Sequence, residues 1–469
     1  MRSPIKRRGA QAPERAPVMK KKSFLTTTQT IMLAFLAAIA VGSLLLALPA
    51  SAADGSAVPY IDALFTATTS VCVTGLVTLP TVSTWSVFGQ AVILLLIQIG
   101  GLGVVTVMLF VMLSVHRRLG LGERMLIQEA FNLNTMAGLA AFTKKVLAGT
   151  LIAEAAGALL YMTVFVPAYG ARGIWVSVFN SVSAFCNAGI DIISESSLCE
   201  YAAVPTVTAV TSALVILGGI GFVVWWDVLN ALKSYRTLGR RCFTRLTLHS
   251  KIALSSTAAL LLAGTLLFFL FEYDNPATFG DAPLAQKLSG AFFQSVTTRT
   301  AGFAMVPQQD LTDESALISL LLMFIGGSPT GTAGGIKTVT AAVLVASAVS
   351  TIRGRKDAVM FQRTVLKSSV SKAVAVVSFS FLVTFLSALL LKAATKAELL
   401  DVLYETVSAT GTVGLTRNLT STLNLPGKLI IIAAMYAGRV GPISLFIALN
   451  RKNKPDNIVK EPSEQISVG

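Results

Sequence analysis

The sequence predicts an all-α integral membrane protein in which four pseudo-repeats of outer helix, re-entrant pore loop and inner helix surround one pore. Three observations predict it. The first is composition: of 469 residues, 54% are hydrophobic and 13% charged, too apolar for a water-soluble multidomain chain. The second is charge placement. The net charge of +15 would suggest nucleic acid in a soluble protein, but 29 of the 38 Lys and Arg fall in five polar stretches, 1–22, 116–145, 230–251, 351–372 and 450–469. Each borders long apolar runs, which is the positive-inside pattern of cytoplasmic loops and not a continuous basic face, so no nucleic-acid partner is expected. The third is a repeat. Gly75, Gly189, Gly302 and Gly414 are separated by 114, 113 and 112 residues, each with an aromatic ten residues earlier (Phe65, Phe179, Phe292, Tyr404) and an apolar residue just after.

In chain order, residues 1–23 are a basic, Pro- and Arg-containing cytoplasmic tail. The apolar run 31–48 precedes Ala50-Ser51-Ala52, which offers a signal-peptide cleavage pattern, but it is longer than a signal core of about 7–15 residues and serves the repeat as its first outer helix. Repeat 1 (24–120) then holds a half-length segment at 59–73 and an inner helix at 86–115. Repeat 2 (121–245) reads 146–166, 173–187 and 206–229; repeat 3 (246–355) reads 252–271, 285–300 and 314–349; repeat 4 (356–450) reads 373–391, 397–412 and 428–449. A second cytoplasmic tail occupies 451–469. Eight spanning helices result, with both termini inside.

A helix of about 13 residues covers about 20 Å, too short for a hydrocarbon core of about 30 Å. Each half-length segment must therefore enter and leave on one side, and the charge pattern makes that side the outside. Pro59 and Pro283 supply start signals. Irregular backbone survives at membrane depth only when buried in protein or lining a cavity. Around one axis, the carbonyls of Val73-Thr74-Gly75, Asn187-Ala188-Gly189, Thr300-Ala301-Gly302 and Thr412-Val413-Gly414 can form stacked oxygen rings that replace the hydration shell of a monovalent cation.

The inner run of repeat 3, about 36 residues, is interrupted at 326–338 by Gly326-Gly327-Ser328-Pro329-Thr330-Gly331-Thr332-Ala333-Gly334-Gly335, then Lys337. Such a break at mid-depth must line a cavity. A phosphate-binding loop needs Gly-Lys-Ser/Thr adjacent, and Ile336 separates Gly335 from Lys337. Gly100-Gly101-Leu102-Gly103 and Gly218-Gly219-Ile220-Gly221 read as small residues for close helix contact. Gly438-Arg439-Val440-Gly441 adds an intramembrane arginine, which must face a partner, face water or snorkel to the cytoplasm.

With those features, the chain resembles the Ktr/Trk/HKT potassium transporters over 24–450, and within them the KtrB-type membrane subunits, whose eight spans match. The resemblance implies a multi-pass plasma-membrane protein that takes up K+ through a pore in each protomer. It also implies a homodimer, a cytosolic nucleotide-binding ring of the KtrA type on the inner face, Na+ as a coupling or activating ion in some relatives, and no other bound cofactor. It assigns the twelve residues above to a selectivity filter and Gly326 to Lys337, with Arg439, to a gate. Plant relatives with a first-loop serine are associated with Na+ transport; here Gly75 stands at that position, which favours K+ over a Na+-permeable or weakly selective pathway.

Lys337 and Arg439 together would place positive charge below the filter. Asp54, Asp62, Asp191, Glu195, Glu200, Glu272, Asp274 and Asp281 fall on the predicted outer side, most as solvated loop residues, where negative charge concentrates cations. Arg299 is expected to find an acid such as Glu405. An enzyme would need clustered acids or histidines, and Glu154 and Asp227 stand isolated in the predicted spans. Cys72 and Cys186 read as small buried residues, Cys199 and Cys242 lie on opposite sides of the predicted membrane, and His116 and His249 make no metal cluster.

Overall fold

The computed structural model describes residues 27–103, 139–233, 239, 244–355 and 357–441. The two basic tails, His116, Cys242, and the distal parts of the first and fourth inner helices lie outside the described residues. Among the described residues, four single helices are long and apolar enough to cross a bilayer, and they are the four outer helices, Thr27–Leu46, Leu139–Tyr169, Leu248–Glu272 and Lys367–Ala394. Their exposed faces carry Leu44, Ile152, Leu262 and Phe385, a surface that suits lipid and not water. The interior is the reverse: Thr66, Thr68, Thr69 and Ser70 are fully buried. A hydroxyl-rich interior inside an apolar shell makes this a multi-pass membrane protein.

Between the outer and inner helices lie half-helices at Tyr60–Cys72, Arg172–Cys186, Leu284–Thr297 and Leu399–Gly411, of 13, 15, 14 and 13 residues. The first, second and fourth half-helices each pack on both helices of their own unit, and the third packs on its outer helix. Every inner helix also packs against the half-helix of the next unit, the fourth returning to the first, so the chain closes on itself as a ring. The closure carries a buried ion pair, Lys428 Nζ to Asp62 Oδ1 at 2.5 Å. Lys428→Met would strand the Asp62 charge, a cost of about 3 kcal/mol or more. The apparent unfolding temperature of the detergent-purified protein is expected to fall, and Asp62→Asn added to Lys428→Met to recover part of it.

The segment resembling a cleavage site is built into the fold: the buried Ser51 hydroxyl donates to the Leu45 carbonyl (2.7 Å), and the Ser51 carbonyl accepts from Ser86 N–H (2.9 Å). A short hairpin, Val359–Met360 against Arg363–Thr364, leads from the third unit to the fourth.

The inner helices depart from expectation. The second, read as one helix over 206–229, is two helices, Pro205–Gly219 and Phe222–Lys233, bent by 98°. The cause is Gly221 at φ +97°, after which Phe222 N–H donates to the Thr330 carbonyl (3.1 Å) and not to its own helix. The first and fourth, Val87–Leu102 and Leu425–Val440, stop at Gly103 and Gly441 with φ of 83° and 88°. The third runs Asp313–Phe324, leaves the helix, and resumes at Thr338–Ile352. The glycine pairs expected to serve close contact do so, since a Cβ on Gly100 or Gly218 would meet the Val71 or Phe185 carbonyl. With Gly438, they also stand just before Gly103, Gly221 and Gly441, where the described first and fourth inner helices end and the second bends.

Candidate functional site

Three half-helices end alike. Val73, Asn187 and Thr412 adopt the left-handed conformation (φ 55°, 58° and 52°). Their N–H groups bond to Ser70, Ala184 and Ala409, and the next N–H reaches back to Thr69, Ser183 and Ser408 at 2.8 Å each. This is a Schellman closure with a non-glycine residue at the left-handed position, a strained choice for β-branched Val73 and Thr412. The closure ends the helix, and Thr74, Ala188 and Val413 follow without regular secondary structure. In the third unit Thr300 is the left-handed residue (φ 66°).

The segments beyond these closures meet as a ring. A Cβ on Gly75 would lie 2.7 Å from the Ala188 carbonyl oxygen and 3.1 Å from the Gly414 Cα; one on Gly189 would lie 2.6 Å from the Ala301 oxygen. On Gly302 it would meet the Val413 oxygen, and on Gly414 the Thr74 oxygen. Each glycine therefore faces the carbonyl just before the next glycine, in the cyclic order 75, 189, 302, 414 and back. All twelve residues expected at this place come together there, buried. The buried hydroxyls of Thr74, Thr300 and Thr412 and the amide nitrogen of Asn187, all at this ring, have no protein partner.

Hydroxyl braces support the ring, and sequence reasoning did not find them. Thr69 Oγ1 accepts from Gly75 N–H (2.9 Å) and Ser408 Oγ from Gly414 N–H (3.0 Å). Ser183 donates to the Ile190 carbonyl (2.5 Å) and Thr297 to the Phe303 carbonyl (2.6 Å). Three of these stand six residues before their glycine, but Thr297 stands five before. The same one-residue offset moves the packed aromatic: Phe65, Phe179 and Tyr404 are buried as expected, whereas Phe292 is exposed and Phe293 takes the interior place. Thr69→Val or Ser408→Ala would leave a buried glycine N–H unsatisfied, at about 1–3 kcal/mol. The Rb+ to Na+ uptake ratio is expected to fall several-fold at normal protein level; an unchanged ratio would count against the bracing role.

Directly beside the ring lies the 326–338 loop. Gly326 N–H donates to the Ile336 carbonyl (2.8 Å) and Thr338 N–H to the Gly327 carbonyl (3.0 Å), which cinches the loop at its base. The loop docks on the broken second inner helix, with Ser328 and Thr332 N–H groups bonded to the Gly219 and Gly218 carbonyls (2.8 and 3.1 Å). Its residues touch the left-handed positions: the Thr332 hydroxyl donates to Asn187 Oδ1 (3.0 Å), Gly334 abuts the Thr412 hydroxyl, and Gly326 abuts the Thr300 methyl. Lys337 Nζ turns back to the Ala333 carbonyl (2.5 Å). Arg439 does not snorkel. Its guanidinium donates to the Thr332 carbonyl (2.6 Å) and to the Gly100 carbonyl, joining the fourth inner helix, the loop and the first inner helix.

Several acids sit differently from expectation. Glu405 is not paired with Arg299: its carboxylate accepts from the hydroxyls of Thr416 (2.6 Å) and Thr420, and Arg299 points elsewhere. Glu272 is fully buried, taking bonds from Thr278 (2.5 Å) and from Thr312 N–H (2.9 Å), and Asp62 is held by Lys428. They are structural and do not line a mouth. Asp191, two residues after Gly189, accepts from the Ser197 hydroxyl (2.6 Å), and burial pushes its carboxyl up to about 6. Glu154, expected to stand alone, contacts Gln98 (3.3 Å) and Cys186, and Asp227 accepts from Thr247 N–H and hydroxyl (2.9 Å each). Cys72, Cys186 and Cys199 are free thiols, and no metal-ligating cluster occurs among the described residues.

A ring of buried carbonyls with unpartnered hydroxyls, flanked by a pinned loop, suits passage of a desolvated cation. The family described as TrkH, cation transport protein, matches residues 12–461. Over 460 residues the chain is 38% identical to the potassium/sodium uptake protein NtpJ of Enterococcus hirae, covering 96% of this chain and 100% of that one. It is 38% identical over 445 residues to the Ktr system potassium uptake protein B of Bacillus subtilis, covering 95% and 97%. The fold is similar to the crystal structure of the potassium transporter TrkH from Vibrio parahaemolyticus, with a TM-score of 0.74 at 16% identity over 94% of this chain and 87% of that one.

Proposed function

The chain belongs to the TrkH family of cation transport proteins, and from that premise we propose that it is the K+ translocating subunit of an uptake system in the plasma membrane. The observation that carries the reading is the closed ring in which Gly75, Gly189, Gly302 and Gly414 each face the carbonyl preceding the next. The potassium uptake proteins among its relatives support the cargo. In this reading the chain has eight spans with both termini inside, arranged as pore units 24–120, 121–245, 246–355 and 356–450 between two cytoplasmic tails.

K+ sheds water against the carbonyls of Val73 to Gly75, Asn187 to Gly189, Thr300 to Gly302 and Thr412 to Gly414, which replace its hydration shell at little reorganisation cost. The braces at Thr69, Ser183, Thr297 and Ser408 hold those oxygens in place. On the inner side, Gly326 to Lys337 block the exit, and the cations of Lys337 and Arg439 repel the ion until the loop moves. A homodimer with a cytosolic nucleotide-binding ring of the KtrA type would supply that movement; the Ktr-system names of relatives support a membrane subunit of a multi-component system. Na+ serves as coupling or activating ion, and no other cofactor is needed. The named members of the family are transporters, so no enzymatic role is proposed. A second reading, a pathway that also admits Na+, has one observation in its favour, the potassium/sodium name of a 38% identical relative.

Expression in cells lacking K+ uptake systems tests the proposal. The chain, with a KtrA-type ring supplied, is expected to restore growth at low K+ and to take up Rb+ well above Na+. Failure to restore growth at normal expression would overturn it, and equal Rb+ and Na+ uptake would select the second reading.

A further inference from the structure

Arg299 is a buried cation that the permeation path does not use. It stands immediately before Thr300 of the ring, is 7% exposed, and reaches the Gly326 carbonyl. Its one hydrogen bond is long, from Nη2 to the Gly326 carbonyl at 3.5 Å, and its Nε has no protein partner. No carboxylate pairs with it among the described residues. Beside the guanidinium is a cavity of about 20 Å³, lined by Ile216, Gly219, Thr257, Val296 and Gly327 among others. The Thr257 hydroxyl is buried and also lacks a partner. Two unpartnered polar groups on a space of that size fit one ordered water.

The countercharge comes from backbone. The second inner helix ends at Gly219, and its last turn lines this cavity through Ile216 and Gly219. A helix C-terminus carries partial negative charge and favours a cation. The breaks that make the loop possible thus also create the site that holds Arg299. The Gly326 carbonyl is the first of the loop, and Arg439 holds Thr332 at the far side of the same loop.

We propose that Arg299 is a positioning residue for the gate: it pins the root of the 326–338 loop at Gly326, directly and through a water shared with Thr257, as Arg439 pins the tip. This role rests on the loop being the gate. The planar guanidinium is suited to reach a carbonyl and a water at once, which a lysine ammonium on a single-ended stem does less well.

The test uses the purified full-length chain in proteoliposomes, with Rb+ and Na+ uptake measured per folded protein and no cytosolic partner added. Arg299→Gln is expected to raise Rb+ uptake roughly five- to tenfold, the shift in a closed-to-open balance that accompanies loss of one long hydrogen bond. Arg299→Lys should raise it less, and Thr257→Val less again, with the Rb+ to Na+ ratio kept. Unchanged or lower uptake in Arg299→Gln while Arg439→Ala raises it overturns the pinning role and leaves the gate standing. A collapsed Rb+ to Na+ ratio also overturns it, because Arg299 would then support the ring and not the loop. If neither Arg299→Gln nor Arg439→Ala raises uptake, the gating reading itself falls.

Discussion

Gly302→Ser is expected to lower Rb+ uptake at least tenfold at equal membrane level and to flatten the preference for Rb+ over Na+. Two effects add. Gly302 has φ +81°, where a side chain costs about 1–2 kcal/mol. The new Cβ would also press on the Val413 carbonyl oxygen, so the fourth unit's ring oxygen must move with the third unit's backbone. Since each glycine faces its neighbour's carbonyl, the disturbance is passed around the ring, and Gly75→Ser, Gly189→Ser and Gly414→Ser should behave alike. Flux of both ions in cells lacking K+ uptake checks this; a Gly302→Ser protein with normal uptake and normal selectivity would remove the ring from the pathway.

Arg439→Ala should act in the opposite direction, raising Rb+ uptake without a cytosolic partner by tenfold or more. Its guanidinium holds the Thr332 and Gly100 carbonyls, and a hydrogen bond to a charged group contributes about 1.5–3 kcal/mol. Losing both frees the loop and removes a positive charge from the exit. Arg439→Lys separates the two causes. It keeps the charge but loses the fork that spans two carbonyls, so high uptake in the lysine variant assigns the effect to the lost tie and low uptake assigns it to repulsion. Lys337→Ala, which frees the Ala333 carbonyl, should give a smaller rise. Unchanged or lower uptake in Arg439→Ala at normal expression contradicts the closed-loop picture.

Much of the architecture was legible because periodic glycines and apolar runs are local in the chain. The half-helices at 59–73, 173–187 and 397–412 lie within two residues of Tyr60–Cys72, Arg172–Cys186 and Leu399–Gly411. The third, read as 285–300, ends earlier, at Thr297, where its closure differs. The break at 326–338 was legible too, since proline and clustered glycines act on their own backbone. Less visible were the bend at Gly221 and the helix ends at Gly103 and Gly441. A glycine in an apolar run reads equally as a contact or a hinge, and only the neighbouring carbonyls of Val71, Phe185 and Thr410 and the positive φ angles separate the two.

Amino-acid order alone settled the four-fold repeat, the apolar shell, the short segments that cannot span, and the glycines at their ends, because each depends on composition and spacing along one stretch. The partners of charged groups depended on the fold. Arg299 went to Gly326 and not to Glu405, Asp62 to Lys428 across 366 positions, and Arg439 to two carbonyls from different units. In a low-dielectric interior a charge takes whichever polar group the packing brings within reach, including carbonyls exposed where helices break. Which groups those are is decided only when the fourth unit closes against the first.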